Sequence, residues 1–315
     1  MKVFHGLEKI PRDPNTVVTI GSFDGVHLAH QEIIREVVHR AKMREGRSVV
    51  ITFDPHPSAV VKRGHGPVSL LTTLDERIEL MSGLHVDALC VIGFTHAFSR
   101  LSPEDFYRSY IVDGIGVSEV VVGYDHMFGH DREAGVHDLI KMGEQYNFSV
   151  FAAHPVRIAG VTIGSTVIRQ ALQEGNAERA EMLLGYAYRI QGRVVRGDGR
   201  GKSLGFPTAN ILVPDAGKLI PGNGVYLVGV HWSEGEGFGM MNIGMRPTVT
   251  TGDQRTIEVH VFNLEEDLYG EPLRVSVLRR LRDEQKFASK DELILQLHRD
   301  REESLKLINE LKRNA

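Results

Sequence analysis

The chain has 315 residues, of which 42% are hydrophobic and 25% charged, a composition typical of soluble globular proteins. Its length exceeds that of a typical single domain and predicts two. The net charge of −4 gives no overall positive field, which argues against nucleic acid or an anionic membrane as a partner. The one cysteine, Cys90, excludes an intrachain disulfide, and its apolar neighbours predict a buried thiol. Without a secretion signal or an apolar stretch of membrane-spanning length, the sequence predicts a cytoplasmic protein.

The first half alternates strand-like and helix-like segments. Short β-branched runs predict strands at Val17–Ile20, Ser48–Phe53, Ala88–Ile92, Glu119–Val122 and Ser149–Ala152. Amphipathic patterns predict helices at Leu28–Glu45, Leu74–Leu84, Pro103–Val112, Ala134–Tyr146, Ser165–Glu174 and Asn176–Leu184. Gly46 is expected to be the C′ residue that ends the first helix. The alternation indicates an α/β fold with a doubly wound parallel sheet.

After Gly185 short strands are separated by Gly, Pro and Asp, which predicts a small antiparallel β-barrel. The predicted strands are Tyr186–Val195, Phe206–Ile211, Gly224–His231, Gly239–Ile243, Thr256–Phe262 and Leu273–Leu278. A capping box at Ser289-Lys-Asp-Glu292 opens a C-terminal helix, whose expected apolar stripe packs on the barrel. That stripe consists of Leu293, Leu297, Leu305 and Ile308. A domain boundary near Leu184–Ala187 gives two domains, residues 1–185 and 186–315.

A candidate metal and phosphate site lies at the start of the second half. Thr208 and Asn210 flank one alanine, so in an extended strand their side chains point to the same side. Their hydroxyl and amide oxygens suit Mg²⁺ bound together with substrate phosphates. The preceding run Arg196-Gly-Asp-Gly-Arg-Gly-Lys202 offers backbone N–H groups for those phosphates, with Gly199, Gly201 and Lys202 as the nucleotide-binding candidates.

A second candidate site lies in the first half, where His27 and His30 stand at i, i+3 beside the end of the first strand. Two imidazoles next to the positive end of a helix dipole suit a polyphosphate, although one histidine could instead be a helix-packing residue. Gly21 and Gly25 allow the backbone to approach a ligand closely. Ser165, Thr166 and Arg169 form a second anion-binding arrangement at a later helix N-terminus.

Three further segments carry side chains for a flat ring or for proton transfer. Gly123-Tyr-Asp-His-Met-Phe-Gly129 and Phe53-Asp-Pro-His-Pro57 both follow predicted strands, where ligands bind in open α/β sheets. In Thr256-Ile-Glu-Val-His-Val-Phe262, strand alternation places Glu258 with Thr256 and His260 on one face. From spacing alone, Glu258 is either a catalytic carboxylate or an exposed strand residue.

These motifs together resemble a known family. The run Gly205-Phe-Pro-Thr-Ala-Asn210, with the Gly-rich segment before it, resembles the riboflavin kinase signature. The runs Gly21-Ser-Phe-Asp-Gly-Val-His-Leu-Ala-His30 and Ser165-Thr-Val-Ile-Arg169 resemble the FMN adenylyltransferase module of bacterial bifunctional riboflavin kinase/FAD synthetases. That family carries the two modules in this order, and the resemblance covers about residues 14–310.

The resemblance implies a nucleotidyltransferase domain that adenylylates FMN to FAD, followed by a barrel that phosphorylates riboflavin to FMN. ATP is then the substrate of both steps, with Mg²⁺, and pyrophosphate leaves in the second. The resemblance assigns ATP phosphates to His27, His30, Ser165, Thr166 and Arg169, and the nucleotide also to Gly21, Phe23 and Gly25. It assigns catalysis to Glu258, and flavin contacts to Pro55, Pro57, Asp125, Phe128, Arg282 and Phe287.

Three departures from the family pattern keep an alternative open. Ala29 stands where the family usually has glycine, Gly164 replaces a serine, and His126-Met127 alters the usual D-F-x-F-G run. They motivate a monofunctional riboflavin kinase with an inactive adenylyltransferase domain. A non-enzymatic flavin-binding regulator is disfavoured, because it would need no metal pair and carboxylate. A nucleotidyltransferase acting on another phosphorylated substrate is disfavoured by the kinase half. In every case the expected partners are small molecules.

Overall fold

The computed structural model describes residues 1–61, 69–124, 127, 134–197, 199–248, 252–264 and 266–314. These residues form two compact units, Met1–Ser165 and Thr166–Ala315. Among the helices of these ranges, none is both long enough and apolar enough to cross a membrane.

The first unit alternates strands and helices, as predicted. Its strands are β1 (Lys2–His5), β2 (Val17–Ile20), β3 (Ser48–Asp54), β4 (Ala88–Gly93), β5 (Glu119–Gly123), β6 (Ser149–Ala153) and the two-residue pair β7 (Arg157–Ile158) and β8 (Val161–Thr162). Its helices are α1 (Leu28–Met43), α2 (Pro57–Val60), α3 (Leu74–Ser82), α4 (Pro103–Phe106) and α5 (Val136–Tyr146). The predicted strands are confirmed to within a residue at each end, whereas β1 and the β7–β8 hairpin were not predicted.

The sheet of the first unit is parallel and six-stranded, in the order β1-β4-β3-β2-β5-β6. The chain runs from β2 outward through β3 to β4, and then returns to the other side of β2 for β5 and β6. The switch point therefore lies between β2 and β5, where the following loops diverge and open a crevice at the carboxyl edge. The segment that follows β2 contains the predicted histidine pair.

Apolar side chains cover both faces of this sheet, which confirms the doubly wound prediction. Val18 and Ile20 of β2 pack in one buried cluster with residues after α4 and in α5. Val17, on the opposite face of the same strand, packs with Val37 and Ala41 of α1. Cys90 is fully buried, and burial raises the pKa of its thiol to about 12, in agreement with an unreactive thiol.

The predicted helix at Pro103–Val112 is wider and longer than expected. After α4 the chain continues as a π-helix over Tyr107–Ile115. Tyr107, Ile111 and Ile115 are spaced by four residues and are all buried against the sheet. In the wider i→i+5 winding of a π-helix, residues four apart lie on one face of the helix. The helix propensities of single residues do not reveal this winding.

The end of α1 differs from the prediction in which residue takes the left-handed conformation. Glu45 has φ +50°, and the N–H of Gly46 donates to the carbonyl of Ala41 at 2.9 Å, the pattern of a Schellman motif. Gly46 is thus the C″ residue, not C′. Its glycine is required by a close approach, because a Cβ there would lie 1.9 Å from the carbonyl oxygen of Asn15.

The second unit is a closed antiparallel barrel with flanking helices, which confirms the predicted architecture. Its strands are β9 (Tyr188–Val195), β10 (Ala209–Leu212), β11 (Gly224–Trp232), β12 (Gly235–Thr248), β13 (Gly252–Val261) and β14 (Pro272–Arg282), in the closed order β10-β13-β12-β11-β14-β9. Its helices are α6 (Ser165–Gln173, with its first residue in the first unit), α7 (Ala177–Leu184), α8 (Arg200–Ser203) and α9 (Lys290–Asn314). The helix α7 packs on β9 and β14.

The C-terminal helix α9 packs on β12 and β14, as expected, and of the predicted stripe Leu293 and Leu297 are half-buried and Ile308 is buried. Leu305 is 41% exposed and lies outside the packed stripe, whereas Asp300 and Ser304 are buried. The carboxylate of Asp300 pairs with Arg282 of β14 at 2.9 Å. At the start of α9, Ser289 Oγ accepts from the Glu292 N–H, while the Glu292 carboxylate accepts from Ala288 and not from Ser289. The helix is therefore fixed by a buried ion pair as well as by leucines.

The close approach at Gly46 gives a stability prediction. Gly46→Ala should destabilise the first unit by about 2 kcal/mol or more, because the new methyl group must displace the backbone of Asn15. Gly93→Ala is the matched control, since a Cβ there meets no atom within 4 Å, and its effect should stay within about 0.5 kcal/mol. Calorimetric unfolding measures both; equal melting temperatures for the two variants would contradict the packing described at Gly46.

Candidate active sites

The segment between β2 and α1 forms a strained loop at the switch point of the sheet. Phe23, Gly25 and Val26 all have positive φ, at 47°, 85° and 34°. Left-handed conformations are unfavourable for phenylalanine and more so for a β-branched valine, so surrounding contacts must enforce them. A Cβ on Gly21 would meet the Phe23 ring at 3.2 Å. The loop is thus a tightly determined structure and not a loose connection.

Asp24 is the anchor of this loop. The residue is 1% exposed. Its carboxylate accepts from the backbone N–H groups of Leu71 and Thr72 at 3.1 and 3.0 Å and from the Thr72 hydroxyl at 3.3 Å. The Thr72 hydroxyl in turn accepts from the Gly25 N–H at 2.9 Å. The hydroxyl of Ser165 donates to the Asp24 carbonyl at 2.9 Å. The structure therefore brings Ser165, a predicted nucleotide-binding residue, to the loop that precedes His27.

His27 and His30 form a stacked pair at the N-terminus of α1. His27 is the N-cap residue, and its Nδ1 accepts from the His30 N–H at 3.3 Å. The two rings lie with centroids 3.5 Å apart and planes 15° apart, and Phe23 packs edge-on against His30 at 5.2 Å. The helix N-terminus adds a partial positive charge beside both imidazoles.

Burial and the neighbouring His27 lower the pKa of His30 well below its usual 6.5. The Nδ1 atom of His30 is buried and has no hydrogen-bond partner among the described residues. His30 is therefore neutral at physiological pH in the protein as it stands, and an anion placed against the pair would favour its protonated form.

The Phe53–Pro57 segment lies at the carboxyl end of β3, where Arg77 of α3 holds it. The buried guanidinium donates through Nη1 to the carbonyls of Ser22 and Phe53 and to the Thr52 hydroxyl, at 2.9 to 3.1 Å. One cation thus links the ends of β2 and β3. Pro55 follows Asp54 through a cis peptide bond, and Pro57 opens α2.

The remaining predicted residues of the first site fall in two groups. Asp125 and Phe128 lie outside the described residues. Thr166 and Arg169 belong to α6 and to the second unit, apart from Ser165, which closes the first. Among the described residues, the structure brings together the histidine pair, Phe23, Gly21, Gly25 and Ser165.

In the barrel, Asn210 and Glu258 face each other across neighbouring strands. The register pairs Asn210 of β10 with Glu258 of β13, and Glu258 with Asn242 of β12. Directly opposed residues have side chains on the same face, so the three form one polar row. The predicted alternation along β13 is confirmed, because Ile257, Val259 and Val261 are buried on the other face.

Thr208 reaches the same carboxylate. Its hydroxyl lies 3.4 Å from Glu258 Oε2, a long hydrogen bond. Gly197 and Gly201 crowd the two predicted ligands: a Cβ on Gly197 would lie 2.0 Å from the Asn210 amide nitrogen, and one on Gly201 would lie 3.0 Å from Thr208 Oγ1. The Gly-rich run therefore passes close to the side chains of Thr208 and Asn210, the approach that the predicted phosphate loop requires.

The rest of the Gly-rich run and the predicted flavin contacts of the barrel are also placed. Gly199 has φ +68° and precedes the single turn α8, which contains Gly201 and the exposed Lys202. The Arg282 guanidinium is engaged by the buried Asp300 carboxylate and lies 5.7 Å from the ring of Phe287. Arg282 of β14 thus contacts α9 through Asp300, and it contacts the segment between β14 and α9 through Phe287.

The donors in the barrel suit Mg²⁺ better than a transition metal. Across the described ranges, there is no group of three or more His, Cys, Asp or Glu side chains placed to hold an ion. Thr208 and Asn210 supply hydroxyl and amide oxygens, hard donors that leave positions for phosphate and water, and the Glu258 carboxylate lies beside them. Gly197 and Gly201 leave space over them that a Cβ would fill.

Sequence reasoning did not assign roles to Asp24, Arg77, Asn242 and Asp300. Each acts through partners distant in sequence, so no local pattern marks them. For Asp24 alone the sequence offered a signal, its position inside the Gly21–His30 motif.

Comparison with known proteins identifies both halves. Residues 9–167 match the family described as FAD synthetase, and residues 184–308 match the family described as riboflavin kinase. A bifunctional riboflavin kinase/FMN adenylyltransferase of Listeria monocytogenes is 38% identical, over 93% of this chain and 92% of its own. The protein of that name from Escherichia coli K12 is 37% identical, over 95% and 96%.

A solved structure, the macrolide-efflux protein from Streptococcus pneumoniae, superimposes with a TM-score of 0.87 at 30% identity, over 96% of this chain and 98% of that one. The matches span both units of the fold, and the two matched families correspond to two transferase activities that use ATP, riboflavin and FMN as substrates. The chain belongs to the family of bifunctional riboflavin kinase/FMN adenylyltransferases, which phosphorylate riboflavin to FMN and adenylylate FMN to FAD.

Proposed function

We propose that each activity has its own site: riboflavin phosphorylation at Thr208, Asn210 and Glu258 of the barrel, and FMN adenylylation at His27 and His30. The observation that carries the proposal is the convergence of Thr208 and Asn210 on the Glu258 carboxylate beneath a Gly-rich run. The corresponding domains are residues 1–185 and 186–315. The start of the second family match at residue 184 supports this boundary, whereas the first match ends at residue 167 and the two compact units divide after Ser165. The protein acts on small molecules in the cytoplasm.

In the kinase site, Glu258 accepts the proton of the ribityl hydroxyl as that oxygen attacks the γ-phosphorus of ATP and ADP leaves. Thr208 and Asn210 hold Mg²⁺, which when bound neutralises charge on the phosphates. The backbone N–H groups of Gly199 and Gly201 and the Lys202 ammonium bind the phosphates. Arg282 and Phe287 contact the flavin; the Asp300 ion pair supports this by holding Arg282 in one orientation.

In the adenylyltransferase site, the FMN phosphate attacks the α-phosphorus of ATP and pyrophosphate leaves. His27 and His30 stabilise the negative charge that develops on the phosphates, together with the N-terminus of α1. Catalysis there consists of positioning and charge stabilisation, since direct displacement needs no covalent enzyme intermediate. The rigidity of the loop that carries Gly21, Phe23 and Gly25 supports this, because Asp24 fixes its backbone before any ligand binds.

Other members of this site rest on the family resemblance. Ser165 is supported also by its hydrogen bond to the loop. Thr166 and Arg169 are assigned to the ATP phosphates, and Pro55, Pro57, Asp125 and Phe128 are assigned to the flavin of FMN.

Replacing Glu258 tests the kinase assignment. Glu258→Gln keeps the shape but removes the proton acceptor, so riboflavin phosphorylation should slow by about a hundredfold or more. FAD formation from supplied FMN should be unchanged. Glu236→Gln is the matched control, because Glu236 is an exposed glutamate of the neighbouring strand β12. Chromatographic assay of FMN and FAD measures both activities; near-normal kinase turnover in folded Glu258→Gln would show that Glu258 is a strand-surface residue.

Replacing His30 tests the adenylyltransferase assignment. His30→Ala should remove about 2–4 kcal/mol of transition-state stabilisation, so that FAD formation from FMN becomes slower. Riboflavin phosphorylation should stay intact. His39→Ala, at an exposed position of the same helix, should change neither activity. Ala29→Gly should equal or exceed the wild type in FAD formation, since it removes a methyl beside the pair. Full FAD synthesis by His30→Ala would make the histidines packing residues.

The lowered pKa of His30 predicts how stability depends on pH. Above about pH 6.5 the imidazole is neutral in both folded and unfolded chains. Below that value the unfolded chain takes up a proton that the folded protein does not, so stability falls as the pH decreases. His30→Asn should therefore lose less melting temperature than the wild type between about pH 7.5 and about pH 5.5. Equal losses in calorimetric scans would mean that His30 is not held neutral by the fold.

A further inference from the structure

Thr208 lies at a point where the barrel's backbone pairing has not yet begun. The ladder between β10 and β13 starts with Ala209 opposite Val259, followed by Asn210 opposite Glu258. Continued by one residue, the same register would set Thr208 opposite His260. Thr208 is preceded by Pro207, which has no N–H to donate to a ladder. A contact other than regular pairing must therefore set the position of the Thr208 hydroxyl.

His260 supplies such a contact through its side chain. Its Nδ1 lies 2.8 Å from the carbonyl oxygen of Pro207. A carbonyl oxygen only accepts, so the proton of the neutral ring resides on Nδ1, which donates. The Pro207 carbonyl belongs to the peptide plane that leads into Thr208. Glu258 and His260 lie two residues apart on one face of β13, so this strand holds Thr208 from two points: its hydroxyl and the peptide before it.

The ring of His260 is itself fixed by neighbouring aromatic rings. Phe206 contacts it edge-on at 5.2 Å, and Phe262 does so at 5.8 Å. Phe206 also contacts His298 of α9 at 5.1 Å. An imidazole confined in this way acts as a rigid support.

We propose that His260 is a positioning residue of the kinase site: by binding the Pro207 carbonyl it holds the Thr208 hydroxyl where Thr208 and Asn210 together bind the metal–nucleotide complex. The inference rests on the proposed role of Thr208 and Asn210 as metal ligands. His260 itself touches neither substrate nor metal in this account, so its removal should weaken metal-dependent nucleotide binding without removing any ligand.

Substitutions can separate the hydrogen bond from the ring packing. Asn places an amide N–H close to the position of His Nδ1, so His260→Asn keeps the donor and loses part of the ring. His260→Ala removes both the donor and the ring. His298→Ala is the matched control, because it removes a ring packed on Phe206 and leaves the bond to Pro207.

The direct measurement is calorimetric titration of the full-length protein with Mg·ADP and, separately, with ADP in the presence of a chelator. For His260→Ala we expect Mg·ADP binding at the kinase site to weaken about tenfold, the effect of losing one hydrogen bond, with metal-free ADP binding unchanged. His260→Asn should recover most of the affinity, and His298→Ala should match the wild type. The kcat of riboflavin phosphorylation should follow the same order, while FAD formation from FMN stays constant.

Two results would overturn the inference. Wild-type Mg·ADP affinity in His260→Ala would show that Thr208 is held without the histidine. Equal defects in His260→Asn and His260→Ala, or an equal defect in His298→Ala, would assign the effect to ring packing. Asn210→Ala, titrated alongside, separates this failure from failure of the metal site. If Asn210→Ala also binds Mg·ADP normally, the proposed metal ligands are wrong. If Asn210→Ala binds Mg·ADP weakly while His260→Ala binds it normally, the ligands stand and only the role of His260 is wrong.

Discussion

Arg77 buries its guanidinium at the carboxyl edge of the parallel sheet, and the first site depends on how that charge is satisfied. A buried cation without partners would be strongly destabilising, so the carbonyls of Ser22 and Phe53 must stay within hydrogen-bond reach. That requirement holds the ends of β2 and β3 together. The buried carboxylate of Asp24 also needs partners, and it accepts hydrogen bonds from the backbone N–H groups of Leu71 and Thr72. The stacked histidines begin a helix whose entry is fixed by these two buried charges.

Much of the fold could be predicted from the sequence because local patterns and tertiary packing agree. Runs of β-branched residues predicted the central strands, and helix periodicity predicted α1, α3 and α5. The misses have tertiary causes. Gly46 is glycine because of the neighbouring Asn15 carbonyl, so the left-handed position falls on Glu45 instead. Leu305 is exposed because the buried face of α9 turns Asp300 toward an arginine on β14.

The candidate sites could be predicted where a motif concentrates the chemistry within a few residues, as in the histidine pair or the Thr208–Asn210 segment. The families matched over both halves favour the bifunctional interpretation over a monofunctional kinase or a flavin-binding regulator. The supporting residues could not be predicted, since Arg77 and His260 act on backbone carbonyls that are distant in sequence. The spacing of residues along the sequence carries no information about these carbonyl partners. Their proximity follows only from how the strands pair in the folded protein.

The central claim is that the two activities belong to separate sites, linked by FMN as the product of one and the substrate of the other, and mixing two variants that each lack one activity tests it most directly. His30→Ala retains the kinase site, and Glu258→Gln retains the adenylyltransferase site. Supplied with riboflavin, ATP and Mg²⁺, each variant alone should form little FAD. Their mixture should form FAD at a rate approaching that of the wild type, because FMN released by the first protein is adenylylated by the second. A mixture that forms no more FAD than the sum of the separate variants would contradict the account.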